Sequence, residues 1–454
     1  MLYRTINPTT EEEVACFDLH TDVAVGSMIE VSARGFGAWR KSPVSQRAGM
    51  LLGAADLLEQ EAESLAELMA VEMGKPLVQG EAEARKSALA CRFYADNAAS
   101  FLEPEPRVSD GSEAYVRTDP LGPILAIMPW NFPFWQFYRF AAPALAAGNT
   151  VLLKHSPNTP QCALAIEYLM RRAGFPPGVV QNLFLTNEQA AAVISDPRVR
   201  GVTLTGSTRA GKEVARTAGH CLKPAVMELG GSDPFVVFDD ADVDLAARIG
   251  VEARCLNNGQ SCIASKRFLV QRSIADAFLE RFVGGMKERT VGDPIRPGTE
   301  IGPLARKDLV DHLARQIDLT VAAGARVLCG GSPAEGKGYF YPPTVLTDVP
   351  AGSPGSEEEL FGPAATLTVF DDDREAVDIA NATRYGLGAS LWTADLDRAR
   401  RLIPEIEAGS VFVNGMVKSD PRLPFGGVKE SGFGRELSRE GMLEFVNLKT
   451  VWIA

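Results

Sequence analysis

Two α/β domains built on parallel sheets, with a small β hairpin projecting from the body, are the fold class this sequence predicts. Three observations predict it. Short apolar runs alternate with helical stretches from position 121, the alternation restarts after Gly231, and a proline-rich then alternating segment spans 103–120. Short buried strands separated by helices indicate right-handed βαβ units around a parallel sheet. At 454 residues the chain exceeds one small core, so two or three domains are expected.

In chain order, 45–99 reads as two amphipathic helices. Leu51, Leu52, Ala55 and Leu58, then Leu65, Leu68 and Met69, fall at helical spacing, with a break at Gly74-Lys75-Pro76. Glu103-Pro104-Glu105-Pro106 followed by Ala114-Tyr115-Val116-Arg117 predicts the hairpin. Strands are expected at 124–127, 150–153, 179–185 and 201–204, and helices near 135–147, 160–173, 187–194 and 208–218. The second series places strands at 235–238, 268–270, 327–329, 366–370, 389–392 and 411–413. Ligands bind outside the carboxyl ends of such strands, so the chemistry is expected between the two domains.

Composition excludes several classes of partner. A net charge of -12 argues against nucleic acid or an anionic membrane surface, since both require a basic footprint. Seven cysteines without a CxxC pair fit reduced thiols in a cytoplasmic protein better than a disulfide framework. The start reaches Glu11-Glu12-Glu13 without a signal-peptide apolar core, and no apolar run has membrane-spanning length. The four histidines are scattered, which disfavours a metal site built on them.

Cys262 closes the run Asn257-Asn258-Gly259-Gln260-Ser261-Cys262, and Glu228 leads into Leu229-Gly230-Gly231. A thiol framed by small polar residues, with a carboxylate to activate water, is what covalent thiol chemistry needs. Taken alone, a buried structural Cys and a surface Glu fit these segments equally well. Pro129-Trp130-Asn131-Phe132-Pro133 holds an irregular backbone after a strand, so the Asn131 amide can donate to an oxyanion or simply satisfy a turn. Gly206 and Ser207, in Thr205-Gly206-Ser207-Thr208-Arg209-Ala210-Gly211, open a helix where a phosphate could approach, although the spacing is not GxGxxG. Lys154 puts a cation at another strand end. Glu359 and Phe361, in the run 357–363, offer a carboxylate for ribose hydroxyls and a ring for stacking, or form an ordinary acidic turn.

In order, these segments resemble the aldehyde dehydrogenase superfamily: PWNFP at 129–133, LTGS at 204–207, MELGG at 227–231, GQSC at 259–262, EELFGP at 358–363 and PFGGVKESGFGRE at 424–436. The resemblance implies Rossmann-like domains, cofactor-binding over 1–102 and 121–229 and catalytic over 230–423, with an oligomerisation segment at 103–120 and 436–454. It implies that Cys262 attacks the aldehyde carbon and that Asn131 and the Cys262 backbone N–H form the oxyanion hole. Hydride then passes to nicotinamide, and Glu228 activates the water that cleaves the thioester. Lys154 and Glu359 hold the riboses, Ser207 a phosphate, and Trp130 and Phe361 line the cofactor cleft.

Within the superfamily the chain is most similar to the short bacterial succinate-semialdehyde dehydrogenases. Arg139 matches the position of an arginine for the substrate's far carboxylate, and Trp135 and Ser419 match mouth positions. Three departures stand out. Leu256 replaces a second arginine, Ala264 removes a possible disulfide beside Cys262, and Pro157 stands where strict NAD users often carry Glu. The last leaves NAD and NADP both open, with Lys154 and His155 able to tolerate a 2′-phosphate. A small-molecule aldehyde and a homodimer or homotetramer are the expected partners. Another small aliphatic or ω-carboxy aldehyde, a thiol esterase and a non-catalytic structural protein are the alternatives.

Overall fold

The strand Pro123–Ile127 is apolar and buried along nearly its whole length, which suits the middle of a parallel sheet covered on both faces. In this computed structural model, which describes residues 3–454, it lies at the centre of a six-stranded sheet. Met1 and Leu2, part of the start read above as lacking a leader, fall outside the described residues. The strand order is Gly432–Phe433, Ala225–Glu228, Gly201–Thr205, Pro123–Ile127, Thr150–Lys154, Val180–Asn182. Every neighbouring pair is parallel except the first. Strand order therefore reverses between Pro123–Ile127 and Gly201–Thr205, and a cleft is expected at such a switch.

Seven strands form the second sheet, in the order Arg326–Cys329, Thr344–Thr347, Ala364–Phe370, Arg267–Gln271, Pro234–Val237, Gly388–Trp392, Ser410–Val413. Only the first pair is antiparallel. Its core stacks Phe235 on Trp392 and on Phe268, which continues onto Phe282. The α/β architecture is thus as the sequence predicts.

Several elements differ from expectation. The stretch 45–99 forms three helices, Val44–Gln60, Ala62–Met73 and Leu77–Phe101, because Glu61 leaves the helical region (φ -102°, ψ 14°) and adds a break upstream of Gly74. The expected strand at 179–185 shortens to Val180–Asn182. Ala225–Glu228, Thr344–Thr347 and the N-terminal pair Tyr3–Ile6 with Glu13–Phe17 are strands that were not foreseen. Each has at most five residues, too few to show a period.

Glu113–Pro120 pairs antiparallel along its full length with Val446–Ile453 and, on its other side, with Glu105–Pro106. The hairpin and the C-terminal strand therefore cover each other within one chain. No helix among the described residues is long and apolar enough to cross a membrane.

Candidate active site

Asn131 sits on the turn that follows the central strand, between Ile127 and the helix Pro133–Ala147. Pro133 occupies the first turn of that helix, where its missing N–H costs nothing. The amides of the next two residues, which have no partner within the helix, are capped from afar. The Glu83 carboxylate accepts from Phe134 N at 2.9 Å and Trp135 N at 3.0 Å, and it is ion-paired with buried Lys75. A carboxylate on a helix N-terminus is favoured by the dipole and by the orphan amides together. The Asn131 amide donates one N–H to the Gln260 carbonyl at 3.0 Å, which fixes its plane and leaves the second N–H available.

Cys262 lies on an irregular turn just after the short 3-10 segment Leu256–Gly259 and keeps part of its surface open. Asn257 and Asn258 take left-handed φ angles of 55° and 58°, which Asn tolerates better than most residues. Their side chains tie the turn down: Asn257 donates to the Asn131 carbonyl at 2.8 Å, and Asn258 to those of Gly74 and Pro303 at 2.8 and 3.0 Å. Two buried cations hold it from below. Lys266 donates to the carbonyls of Ser261, Cys262 and Ala264 at 3.0, 2.9 and 3.1 Å, and Arg254 to those of Ser265 and Gly362 at 3.2 and 2.8 Å. Gly231 must be glycine, because a Cβ there would lie 2.5 Å from the Cys262 carbonyl oxygen.

Glu228 ends its strand with its carboxyl buried and neither oxygen hydrogen-bonded among the described residues. Burial pushes its pKa well above the usual carboxylate range, opposed by Arg139 and reinforced by Glu436. The Cys262 thiol is likewise pushed up to about 12, chiefly by burial, with Arg139 again the leading opposing charge. The Glu228 carboxyl also adds to the upward push on the Cys262 thiol. Gly426 brings the 424–427 turn against this carboxyl, since a Cβ there would sit 2.8 Å from Glu228 Oε1.

Of the cofactor candidates, Lys154 lines a cleft at the sheet's switch point. Ile127, Lys154, Leu204, Arg209 and residues of the helices Asn187–Ser195 and Thr208–His220 line a cleft of about 580 Å³. Lys154 is buried at its strand end with no carboxylate partner among the described residues, and desolvation lowers its pKa to about 8. An under-compensated cation beside a helix N-terminus fits a phosphorylated ligand. Gly206 N–H is spent on the Glu228 carbonyl at 2.9 Å, and the Ser207 hydroxyl caps Ala210 N at 3.3 Å. Trp130 meets Phe361 edge to face at 5.7 Å. Glu359 accepts from Gly231 N at 3.1 Å and lies 3.6 Å from Lys266, so it also braces the Gly231 turn and the lysine that holds the Cys262 turn.

Two expected roles change. His155 cannot assist a 2′-phosphate: Nδ1 accepts from Ser156 N at 2.9 Å and contacts Thr159 Oγ1 at 2.8 Å, Nε2 meets the Pro133 carbonyl at 3.1 Å, and burial lowers its pKa to about 4. Arg139 is already in contact with protein partners. It is ion-paired with Glu436, reaches Thr205 Oγ1 at 3.3 Å and stacks 4.7 Å over the Phe425 ring. Trp135 and Ser419 do come together, with Trp135 Nε1 donating to Ser419 Oγ at 3.1 Å. Sequence reasoning missed Lys75, Glu83, Arg254, Lys266 and Glu436. Only Glu436 carried a signal, at the end of the quoted motif 424–436.

A sequence model described as the aldehyde dehydrogenase family matches residues 1–451. A Synechocystis sp. protein named probable succinate-semialdehyde dehydrogenase [NADP(+)] is 50% identical over 454 residues, covering all of both chains. Succinate-semialdehyde dehydrogenase [NADP(+)] 1 of Mycobacterium tuberculosis is 50% identical over 453 residues, 99% of each. The crystal structure of succinic semialdehyde dehydrogenase from Streptococcus pyogenes in complex with NADP+ superposes with a TM-score of 0.97 at 36% identity, covering 99% of both chains.

Proposed function

The chain belongs to the aldehyde dehydrogenase family, and from that premise we propose that it oxidises succinate semialdehyde to succinate with NADP. The observation that carries this reading is half identity, over essentially the whole length, to proteins named for that reaction. Pro157, where no carboxylate repels a 2′-phosphate, and Lys154, without a carboxylate partner among the described residues, are compatible with NADP, and the relatives named for NADP carry the choice. By the same reading 1–102 and 121–229 bind the cofactor, 230–423 carry the nucleophile, and 103–120 with 436–454 assemble the chain into a dimer or tetramer. Val446–Ile453 has an open sheet edge for that purpose, and light scattering at micromolar concentration tests it: a monomeric mass refutes assembly.

Cys262 Sγ bonds to the aldehyde carbon as the thiol proton passes to water. The free N–H of Asn131 and the Cys262 backbone N–H stabilise the oxyanion that results. A bound nicotinamide cofactor would accept hydride from that carbon, taking it to the thioester level. Glu228, once ionised, removes a proton from water as its oxygen attacks the thioester carbonyl. The C–S bond breaks, succinate leaves, and Cys262 is regenerated. Lys266 and Arg254 keep the nucleophile turn in place throughout by holding its carbonyls.

Steady-state kinetics with succinate semialdehyde and butanal, each with NADP and NAD, test the reading. The highest kcat/KM is expected for succinate semialdehyde with NADP. Equal values for the two aldehydes return the substrate to an unspecified one, and a preference for NAD overturns the cofactor assignment. Ester hydrolysis without any aldehyde oxidation would point to a thiol esterase.

A further inference from the structure

We propose that Gln79 and Glu83, together with Lys75, are positioning residues that hold the two halves of the oxyanion hole in register. The inference rests on the chemistry proposed above, in which the Asn131 amide and the Cys262 backbone N–H share one developing oxyanion. Those donors sit on separate turns. Two donors stabilise one charge only while both are aimed at the same point, and a displacement of a fraction of an ångström degrades that aim.

One element grips both turns. Gln79 and Glu83 stand four residues apart near the start of the helix Leu77–Phe101, a spacing that puts them on one face. Gln79 Oε1 accepts from Asn257 N at 2.6 Å, in the run that closes on Cys262, while its Nε2 donates to the Glu300 carbonyl at 3.2 Å. Glu83 Oε1 accepts from Phe134 N and Trp135 N, in the segment that follows Asn131. Just upstream, the Gly74 carbonyl takes the Asn258 amide at 2.8 Å, a second tether on the Cys262 side. Gly74 itself has a φ of 78°, and a Cβ there would lie 2.5 Å from the Pro303 carbonyl oxygen.

Lys75 joins the helix to the Asn131 turn by a second route. It is fully buried, ion-paired with Glu83 through Oε2, and its ammonium lies 4.0 Å from the centre of the ring of Phe132, the residue after Asn131. Glu83 thus holds the backbone of this segment and Lys75 an adjoining side chain. A buried ion pair is a poor device for stability alone, since apolar residues of similar volume often serve as well or better. What apolar residues cannot supply is an oxygen aimed at two amides.

The two turns also touch directly, where Asn257 Nδ2 donates to the Asn131 carbonyl at 2.8 Å. A single contact leaves them free to pivot about it. Tethering each turn separately to one helix removes that freedom.

The test compares Lys75→Met/Glu83→Leu with Lys75→Met/Glu83→Gln. Both remove the two charges together, and only the second keeps an oxygen for Phe134 N and Trp135 N. The Leu variant is expected to lose kcat on the order of 100-fold, as a misplaced catalytic group does, with KM and NADP binding unchanged. The Gln variant should recover most of that loss. In an Asn131→Ala background the Leu variant should cost little more, because it acts through that amide. If the Leu variant does not fold, Gln79→Met, which leaves the ion pair in place, carries the test at the other turn, with kcat expected to fall and KM to hold. A wild-type kcat in the folded Leu variant or in Gln79→Met overturns the positioning role. So do equal losses in the Leu and Gln variants, or an undiminished loss in the Asn131→Ala background. A wild-type kcat in Asn131→Ala alone overturns the oxyanion reading itself, and this inference with it.

Discussion

Arg139 and Glu436 form a buried ion pair within electrostatic reach of both Glu228 and Cys262. The Arg139 charge favours the ionised forms of both groups. Removing one partner of such a pair leaves an uncompensated buried charge. Arg139→Met should therefore lower kcat/KM for succinate semialdehyde and butanal by similar factors and destabilise the fold by about 3–5 kcal/mol. Adding Glu436→Gln should restore part of that stability in chemical denaturation. A loss confined to succinate semialdehyde would return the carboxylate-binding role to Arg139.

Cys262→Ala should abolish dehydrogenase and any esterase activity while leaving NADP binding intact, because only the bond-forming atom is removed. Fluorescence titration with NADP and an aldehyde assay check both halves. Substantial residual aldehyde oxidation means that another nucleophile operates.

Glu228→Gln should release a burst of reduced cofactor close to one equivalent and then stall, with steady-state turnover down by about 10²–10⁴-fold. Stopped-flow absorbance separates the two phases. Wild-type turnover would remove Glu228 from the water-activating role.

Asn131→Ala should cost about 2.7–4 kcal/mol of transition-state stabilisation, seen as a fall in kcat rather than a rise in KM. The side chain also joins the nucleophile turn through Gln260, so Asn131→Asp serves as a size-matched comparison. Full activity in Asn131→Asp would show that the amide N–H is dispensable.

A thiol held up to about 12 is protonated at neutral pH and ionises only as pH rises. In the protein alone, the rate of Cys262 alkylation by iodoacetamide should be slow at pH 7 and climb steeply past pH 10, because only the thiolate reacts. Arg139→Met should slow it further at any fixed pH, since the lost charge favoured the thiolate. A plateau near pH 8 contradicts this ionisation.

The parallel sheets were legible because strands such as Pro123–Ile127 and Gly201–Thr205 are apolar runs bounded by turns. Ala225–Glu228 was not, since four residues ending in a carboxylate show no periodicity, although that strand carries Glu228, the proposed base. Cys262, Glu228 and Asn131 stood out as residue types suited to thiol chemistry. Lys75, Lys266 and Arg254 look like ordinary surface cations in the sequence, and nothing local marks them as buried.

The sequence by itself determined the fold class and the family and singled out the candidate reacting residues, because those rest on local patterns and on side-chain types that few other chemistries need. Which charges face each other was decided only by the tertiary structure. Arg139 and Glu436 are 297 positions apart, and Lys266 and Glu359 are 93. Whether a cation is free to bind a substrate depends on which carboxylate packs against it, and that follows from how helices and turns close over the sheet ends rather than from any spacing along the chain.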